Sequence, residues 1–172
     1  MNFFEVVRER YSSRGFGPRP VETGKLQQIL QAANRAPSAG NLQGYEIFVV
    51  TNGGQRRLLA KAALDQAFIA EAPAVIVFCT HAARSAVKYG RRGETLYTLQ
   101  DATIACTFAM LAATAVNLSS VWVGAFDTED VQQIIGAPEG IVPVVILPVG
   151  YAAGSLRLTP RRELSDIVHT AE

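Results

Sequence analysis

The stretch Arg35-Ala36-Pro37-Ser38-Ala39-Gly40-Asn41-Leu42-Gln43 lies between a helical pattern and a strand pattern, and its reading decides the rest. Upstream, Glu22 to Arg35 sets Leu26, Ile29, Leu30 and Ala33 at the i, i+3, i+4, i+7 spacing of one buried helix face. Pro37 stops that helix. Downstream, Tyr45 to Thr51 is rich in β-branched and aromatic residues and ends at Asn52-Gly53-Gly54, which reads as a strand and its turn. Pro, Ser, Gly and Asn are ordinary connector residues. A connector does not require the second amide at Gln43, whereas a loop that lays N–H groups, an Asn and a Gln against a flat polar ring does. Earlier in the chain, Arg10-Tyr11-Ser12-Ser13-Arg14 sets Arg10, Ser12 and Arg14 on one side if extended. Two guanidinium forks and a hydroxyl suit a phosphate. An isolated Arg-x-Ser-x-Arg is more often a solvated turn, so this segment draws its weight from the downstream loop.

The remainder of the 172 residues reads as strands separated by helices, which argues for a helix-flanked sheet in one domain spanning 1–172. Asn2 to Glu9 and Gln55 to Asp65 are short helices. Ala74 to Thr80, with Val75-Ile76-Val77-Phe78, is a strand buried on both faces. His81 to Glu94, which carries Arg84, Lys88, Arg91, Arg92 and two glycines, reads as an exposed excursion near a ligand. A long helix follows from Thr95 to Val116, then a short strand from Val121 to Phe126 and a helix capped by Asp127. Ile141 to Val149 is a strand that Pro143 and Pro148 make irregular or leave at an edge over part of its length. Ala102 to Phe126 holds no charge, yet Asn117, Ser119 and Ser120 interrupt it and Ala, Thr and Cys dominate its first part, so a buried helix is expected rather than a membrane span.

A net charge of +1 gives no electrostatic case for nucleic acid or anionic membranes. Cys79 and Cys106, in apolar segments without metal-binding spacing, read as reduced core thiols, and no signal peptide is expected at the charged N-terminus; a cytoplasmic location follows. His81 and His169 are too few for a metal site. No Gly-x-Gly-x-x-Gly joins a strand to a helix, which argues against a dinucleotide-binding Rossmann unit.

In order and location these segments resemble the nitroreductase family of FMN-dependent oxidoreductases. The resemblance runs from Phe4 to Val168, with residues 81–94 matched least. It implies an α+β fold, a three-layer α/β/α sandwich around a central mixed sheet. It also implies that Arg10, Tyr11, Ser12 and Arg14 bind FMN at its phosphate end. Pro37, Ser38, Ala39, Asn41 and Gln43 would lie against the isoalloxazine and ribityl chain, with Asn41 reaching the flavin of a partner subunit. Where the family has Pro and Trp after this Gln, the chain has Gly44 and Tyr45. Val121-Trp122-Val123-Gly124-Ala125-Phe126 resembles the segment that passes the flavin N5 and pyrimidine edge, which assigns Val123, Gly124 and Ala125 to the cofactor; alone it would read as a core strand with a bulge. Arg161 and Arg162 match the C-terminal basic pair, the first of which closes the phosphate site. Gln66, before Phe68-Ile69-Ala70-Glu71-Ala72-Pro73, is a flavin contact or a polar helix end. The long helix would form much of a homodimer interface, with Asp101 a buried, satisfied group.

The activity so implied is hydride transfer from NADH or NADPH to FMN and then to nitroaromatic or quinone acceptors. The flavin carries the electron chemistry, so no catalytic side chain is assigned and no metal is expected. A specialised flavin oxidase or dehydrogenase of the same family and a non-catalytic flavin-binding module are the alternatives. A plain interaction protein would carry no flavin absorbance.

Overall fold

The computed structural model describes residues 1–154 and 159–171. Its centre is a four-stranded sheet of β1 (Tyr45–Val50), β2 (Ala74–His81), β3 (Ser119–Ser120) and β4 (Ile141–Gly150), in the order β1-β2-β4-β3. The ladders between these strands are antiparallel. A parallel bridge joins Ser12 to Ser120 and brings the N-terminal segment to the β3 edge. Because side chains alternate across a strand, β2 feeds two cores. Val75, Val77 and Cys79 join Ile146 beneath α3 (Gly53–Ala62), α4 (Phe68–Glu71) and α7 (Thr128–Ile135). Ile76 and Phe78 join Val145 and Leu147 beneath α2 (Thr23–Asn34) and α6 (Thr98–Ala115). The result is the expected three-layer α/β/α sandwich, with α1 (Phe3–Glu9) packed outside on α6. The four strands, however, form an antiparallel sheet where a mixed one is expected, parallel pairing entering at the Ser12–Ser120 bridge.

Local signals set most element ends. Asn2 forms a capping box with Glu5 at α1, Asn52 accepts from Gly54 and Gln55 at α3, and Asp127 accepts from Asp130 at α7. Helix α7 ends on Gly136 in the left-handed conformation. Ladder pairing skips Val144 between Val145 and Pro143, so β4 is irregular where the prolines predict it, and β3 covers only its Val149–Gly150 end. Residues 121–126 do not form the expected strand. The ladder stops after Ser120, and only Val123 bridges Ile146 beyond it.

Helix α6 places Ala102, Ala105, Ala109 and Ala113 against the sheet, and these small residues let the helix approach closely. The helical run Ala82–Ala115 has the length and hydropathy of a membrane span, but its inner face belongs to this core. Both thiols lie in the interior. Burial, then the charge of Glu46, pushes Cys79 up to about 12, and burial raises Cys106, so neither is a nucleophile at neutral pH.

Residues 81–94 are a correction to the sequence reading. They are not a loose excursion: α5 (Ala82–Arg92) runs into a π-type turn, Gly93–Tyr97, and on into α6. Two glycines hide the helical period in the sequence. Gly90 adopts φ 52°, a kink that favours glycine. Gly93 lies against the Ser85 carbonyl, leaving no room for a Cβ. Ser85 in turn fills the space over Gly44, with its hydroxyl where a Gly44 Cβ would stand. Gly44 therefore admits the close approach of α5 to the loop before β1.

That loop is held at both ends by one carboxylate. Asp101, 2% exposed, accepts the Ala39 N–H at 2.9 Å on one oxygen and the Gly44 N–H at 3.2 Å on the other. An amide at this position would present its NH₂ to one of those donors. Asp101→Asn should therefore destabilise the protein by about 1–3 kcal/mol, the cost of one unsatisfied buried donor. The check is a lower urea midpoint at unchanged m-value, with faster hydrogen exchange at Ala39 or Gly44. An unaltered midpoint would show that the clamp contributes nothing.

Candidate functional site

The residues assigned from sequence fall into three groups. The first is the extended segment after α1, which opens when the Arg10 backbone leaves the helix at ψ 124°. Its Ser13 N–H donates to the Ser120 carbonyl at 3.1 Å, tying it to the sheet. Arg10, Tyr11, Ser12 and Arg14 line a cleft of about 940 Å³ together with Thr159 and Arg161. Of the basic pair, only Arg161 lines this cleft; Arg162 donates to the Asp166 carbonyl at 3.1 Å.

The second group is the loop itself. Pro37 and Asn41 are exposed, and Ala39–Asn41 forms one 3-10 turn. Gly40, Asn41 and Gln43 have φ of 57°, 56° and 45°. For Asn and Gln this is a costly conformation, of the kind that persists where its surroundings impose it. Three constraints do so here. Asp101 holds the ends, Ser38 Oγ accepts the Gln43 N–H at 3.0 Å, and Arg84 donates to the carbonyls of Gln43 at 2.7 Å and Tyr45 at 3.1 Å. The Gln43 amide turns back to Asn41 Oδ1 at 2.7 Å, so it braces the loop and leaves Asn41 at the outer face.

Arg84 is itself held by Glu46, which also bonds His81 Nδ1 at 3.1 Å. Burial pushes the Glu46 carboxyl upward, but hydrogen bonds and charge from His81 and Arg84 outweigh it and leave the group below its ordinary range. Asp101, Arg84 and Ser85 were not assigned to the site from sequence. Asp101 carried a signal, as the first and only charge in an apolar helix. Arg84 carried none, because its contacts depend on the fold of α5.

The third group joins Gln66 to the 123–125 segment. Gln66 Nε2 donates to the Ala63 carbonyl at 2.8 Å and to the Ala125 carbonyl at 3.3 Å. Val123 is buried against Ile146, while Gly124 and Ala125 expose their backbone. The first and third groups are continuous through Ser119–Ala125. The second lies elsewhere. Its β1 end pairs Tyr45 with Thr80, whereas Ser12 meets Ser120, which pairs with Val149 opposite Ala74. From Ala74 to Thr80 is six residue steps, about 20 Å of strand. One chain thus presents its cationic cleft and its amide loop at opposite ends of the sheet.

The cleft fits a phosphate-bearing cofactor. Burial, and then the neighbouring Arg161 charge, hold the Arg10 guanidinium below its usual range. Among the described residues, no carboxylate lies within 4.0 Å of Arg10, Arg14 or Arg161. Like charges gathered without a counter-charge oppose one another, and a dianion placed between them reverses the sign of that interaction.

Comparison with known proteins agrees with this arrangement. A model of the nitroreductase family matches residues 7–71 and 60–151. A protein described as NADH dehydrogenase from Thermus thermophilus is 30% identical over 84% of each chain. The NADPH-flavin oxidoreductase of Vibrio harveyi is 28% identical over 98% of this chain and 73% of its own. The solved structure of NADPH:FMN oxidoreductase from Vibrio harveyi complexed with NAD+ superposes with a TM-score of 0.90 at 27% identity, covering 100% of this chain and 78% of that one. With the family model matched over most of its length and the fold shared with that structure, the chain belongs to the nitroreductase family.

Proposed function

We propose that the chain is a single FMN-binding domain of a homodimeric, cytoplasmic enzyme that reduces nitroaromatic or quinone-type acceptors. It is an NAD(P)H-dependent flavin oxidoreductase. The observation that carries this reading is the cleft where Arg10, Arg14 and Arg161 converge with no carboxylate within 4.0 Å of them among the described residues. There Arg10, Ser12, Arg14 and Arg161 hold the FMN phosphate. Gln66 and the backbone of Gly124 and Ala125 face the ring, with N–H groups there stabilising charge on it, whereas the Val123 backbone is taken up by Ile146 and only positions them. When bound, FMN supplies the hydride chemistry. The protein's part is to bind, orient and tune the flavin.

Purified protein should be yellow and should bleach anaerobically on addition of NADH or NADPH. Arg10→Ala or Arg14→Ala should weaken FMN retention about tenfold or more, since a charge-assisted hydrogen bond contributes roughly 1.5–3 kcal/mol. Equilibrium dialysis reads this directly, and unchanged affinity in both variants would remove the phosphate assignment.

The separation of the cleft from the Asn41 loop supports a site shared by two chains. So does the surface of α1 and α6, where Phe3, Phe4, Val7, Leu99 and Phe108 are exposed, Phe4 at 79%. A patch of this kind is what an obligate interface covers. Sedimentation should show a dimer at micromolar protein. Co-expressing Arg10→Ala with Asn41→Ala should restore activity to about a quarter of the sites, because a mixed dimer rebuilds one intact site. No restoration would place both groups in the same chain's site.

A further inference from the structure

Helix α5 carries Arg84, Lys88, Arg91 and Arg92 and no acidic residue from Ala82 to Arg92, in a chain whose net charge is only +1. Arg84 is committed to Glu46 and the loop carbonyls. Lys88 and Arg92 are exposed, and among the described residues no Asp or Glu lies within 4.0 Å of either. They rest on a tyrosine pair instead. Lys88 Nζ lies 5.5 Å from the Tyr89 ring centroid and the Arg92 guanidinium 5.4 Å from that of Tyr97. The two rings meet edge to face at 5.0 Å, and Arg92 Nε donates to the Tyr97 hydroxyl at 2.9 Å. Aromatic faces orient cations without neutralising them, so both charges remain available to a ligand. The position is also specific. Lys88 Nζ and the Tyr89 hydroxyl close over Gly40, at 2.9 and 2.5 Å from where its Cβ would stand, beside Asn41.

We infer that Lys88 and Arg92, on the Tyr89–Tyr97 platform, form an anion-recognition ledge for the phosphate groups of the reduced nicotinamide dinucleotide. This inference rests on the reading above, in which Asn41 borders the flavin. A donor stacked over that ring must extend its charged portion past the rim of the pocket. The loop tip carries no charge of its own. The ledge supplies Lys88 beside it and Arg92 on the adjoining Tyr97 ring, neither with an Asp or Glu within 4.0 Å among the described residues. Guanidinium and ammonium groups recognise phosphate through charge-assisted hydrogen bonds. The shared chemistry is phosphate, which the donor offers either as the pyrophosphate of both dinucleotides or as the 2′-phosphate of NADPH alone.

The test is anaerobic stopped-flow reduction of the FMN-loaded wild type, Lys88→Ala and Arg92→Ala. The donors are NADPH, NADH and 1-benzyl-1,4-dihydronicotinamide, which has no phosphate. The second-order rate constant for NADPH, divided by that for the phosphate-free donor, should fall about tenfold in each variant, the equivalent of one charge-assisted hydrogen bond. The wild-type ratio should also fall with added salt more steeply than the variants'. A fall confined to NADPH assigns the ledge to the 2′-phosphate, and an equal fall with NADH assigns it to the pyrophosphate. An unchanged ratio overturns the proposal. Equal loss with all three donors overturns it as well, because the residues would then only support the loop. A wild type that retains no FMN removes the proposed function and the ledge together, whereas a reducible flavoprotein with an unchanged ratio removes the ledge alone.

Discussion

The Asp101 carboxylate accepts N–H groups from Ala39 and Gly44 inside the protein, and the geometry of the candidate site depends on that pair of bonds. A buried carboxylate is costly unless its lone pairs are satisfied, and here two backbone donors satisfy it. The same two bonds fix where the loop begins and ends. Between them the chain has too few residues to relax, and Gly40, Asn41 and Gln43 are forced to positive φ. Asn41 stands outward because its neighbours leave the backbone no other path. The helix that carries Asp101 is anchored by its alanines on the sheet, so the loop inherits the rigidity of the core.

Charge is distributed to the same end. The described ion pairs are few, and the Arg84–Glu46 pair serves the loop. Among the described residues, Arg10, Arg161, Lys88 and Arg92 have no carboxylate within 4.0 Å. Arg10 and Arg161 face one another across the N-terminal cleft, while Lys88 and Arg92 lie on aromatic rings at the other end. Uncompensated charge lowers the stability of a folded chain and raises its affinity for anions. Both clusters therefore read as binding features rather than structural ones.

Much of this was legible in the sequence, for reasons specific to each segment. The period of Leu26, Ile29, Leu30 and Ala33, the unbroken Val75–Phe78 run, the Asn52-Gly53-Gly54 turn and the cap at Asp127 are local signals, and the elements formed where those signals lie. The Arg10–Arg14 segment suits phosphate by residue type but would alone read as a solvated turn, and it drew its assignment from the loop downstream. Residues 81–94 failed as a reading because Gly90 and Gly93, taken as marks of a loop, serve a kink and a close helix contact that only tertiary packing reveals. Residues 121–126 failed for the opposite reason. Their unbroken apolar run suits a strand, but the partner edge is used only at Val149 and Gly150, and Val123 alone reaches Ile146. Gly44, in a position where the family has Pro, is by residue type the freer backbone of the two. Packed beneath Ser85 and bonded to Asp101, it is instead one of the most confined residues of the loop.

The division of the site between the two ends of the sheet has a consequence for how such a small chain works. A cofactor with an anionic end and a flat polar ring needs cations at one end and amides with backbone donors over the other. One sheet edge of this fold supplies the first, and the loop before β1 supplies the second about 20 Å away. Bringing them together inside one chain would require the core to be rebuilt. In the proposed homodimer a two-fold axis would achieve it without any change to the core, each copy lending its loop to the other's cleft. The exposed apolar surface of α1 and α6 would then supply the binding energy, and the loop's rigidity would limit the error with which Asn41 is delivered. On this reasoning, the Asp101 clamp is what makes a shared site workable: a loop that crosses to a partner cannot be positioned by its own chain's cofactor, and so must arrive already shaped.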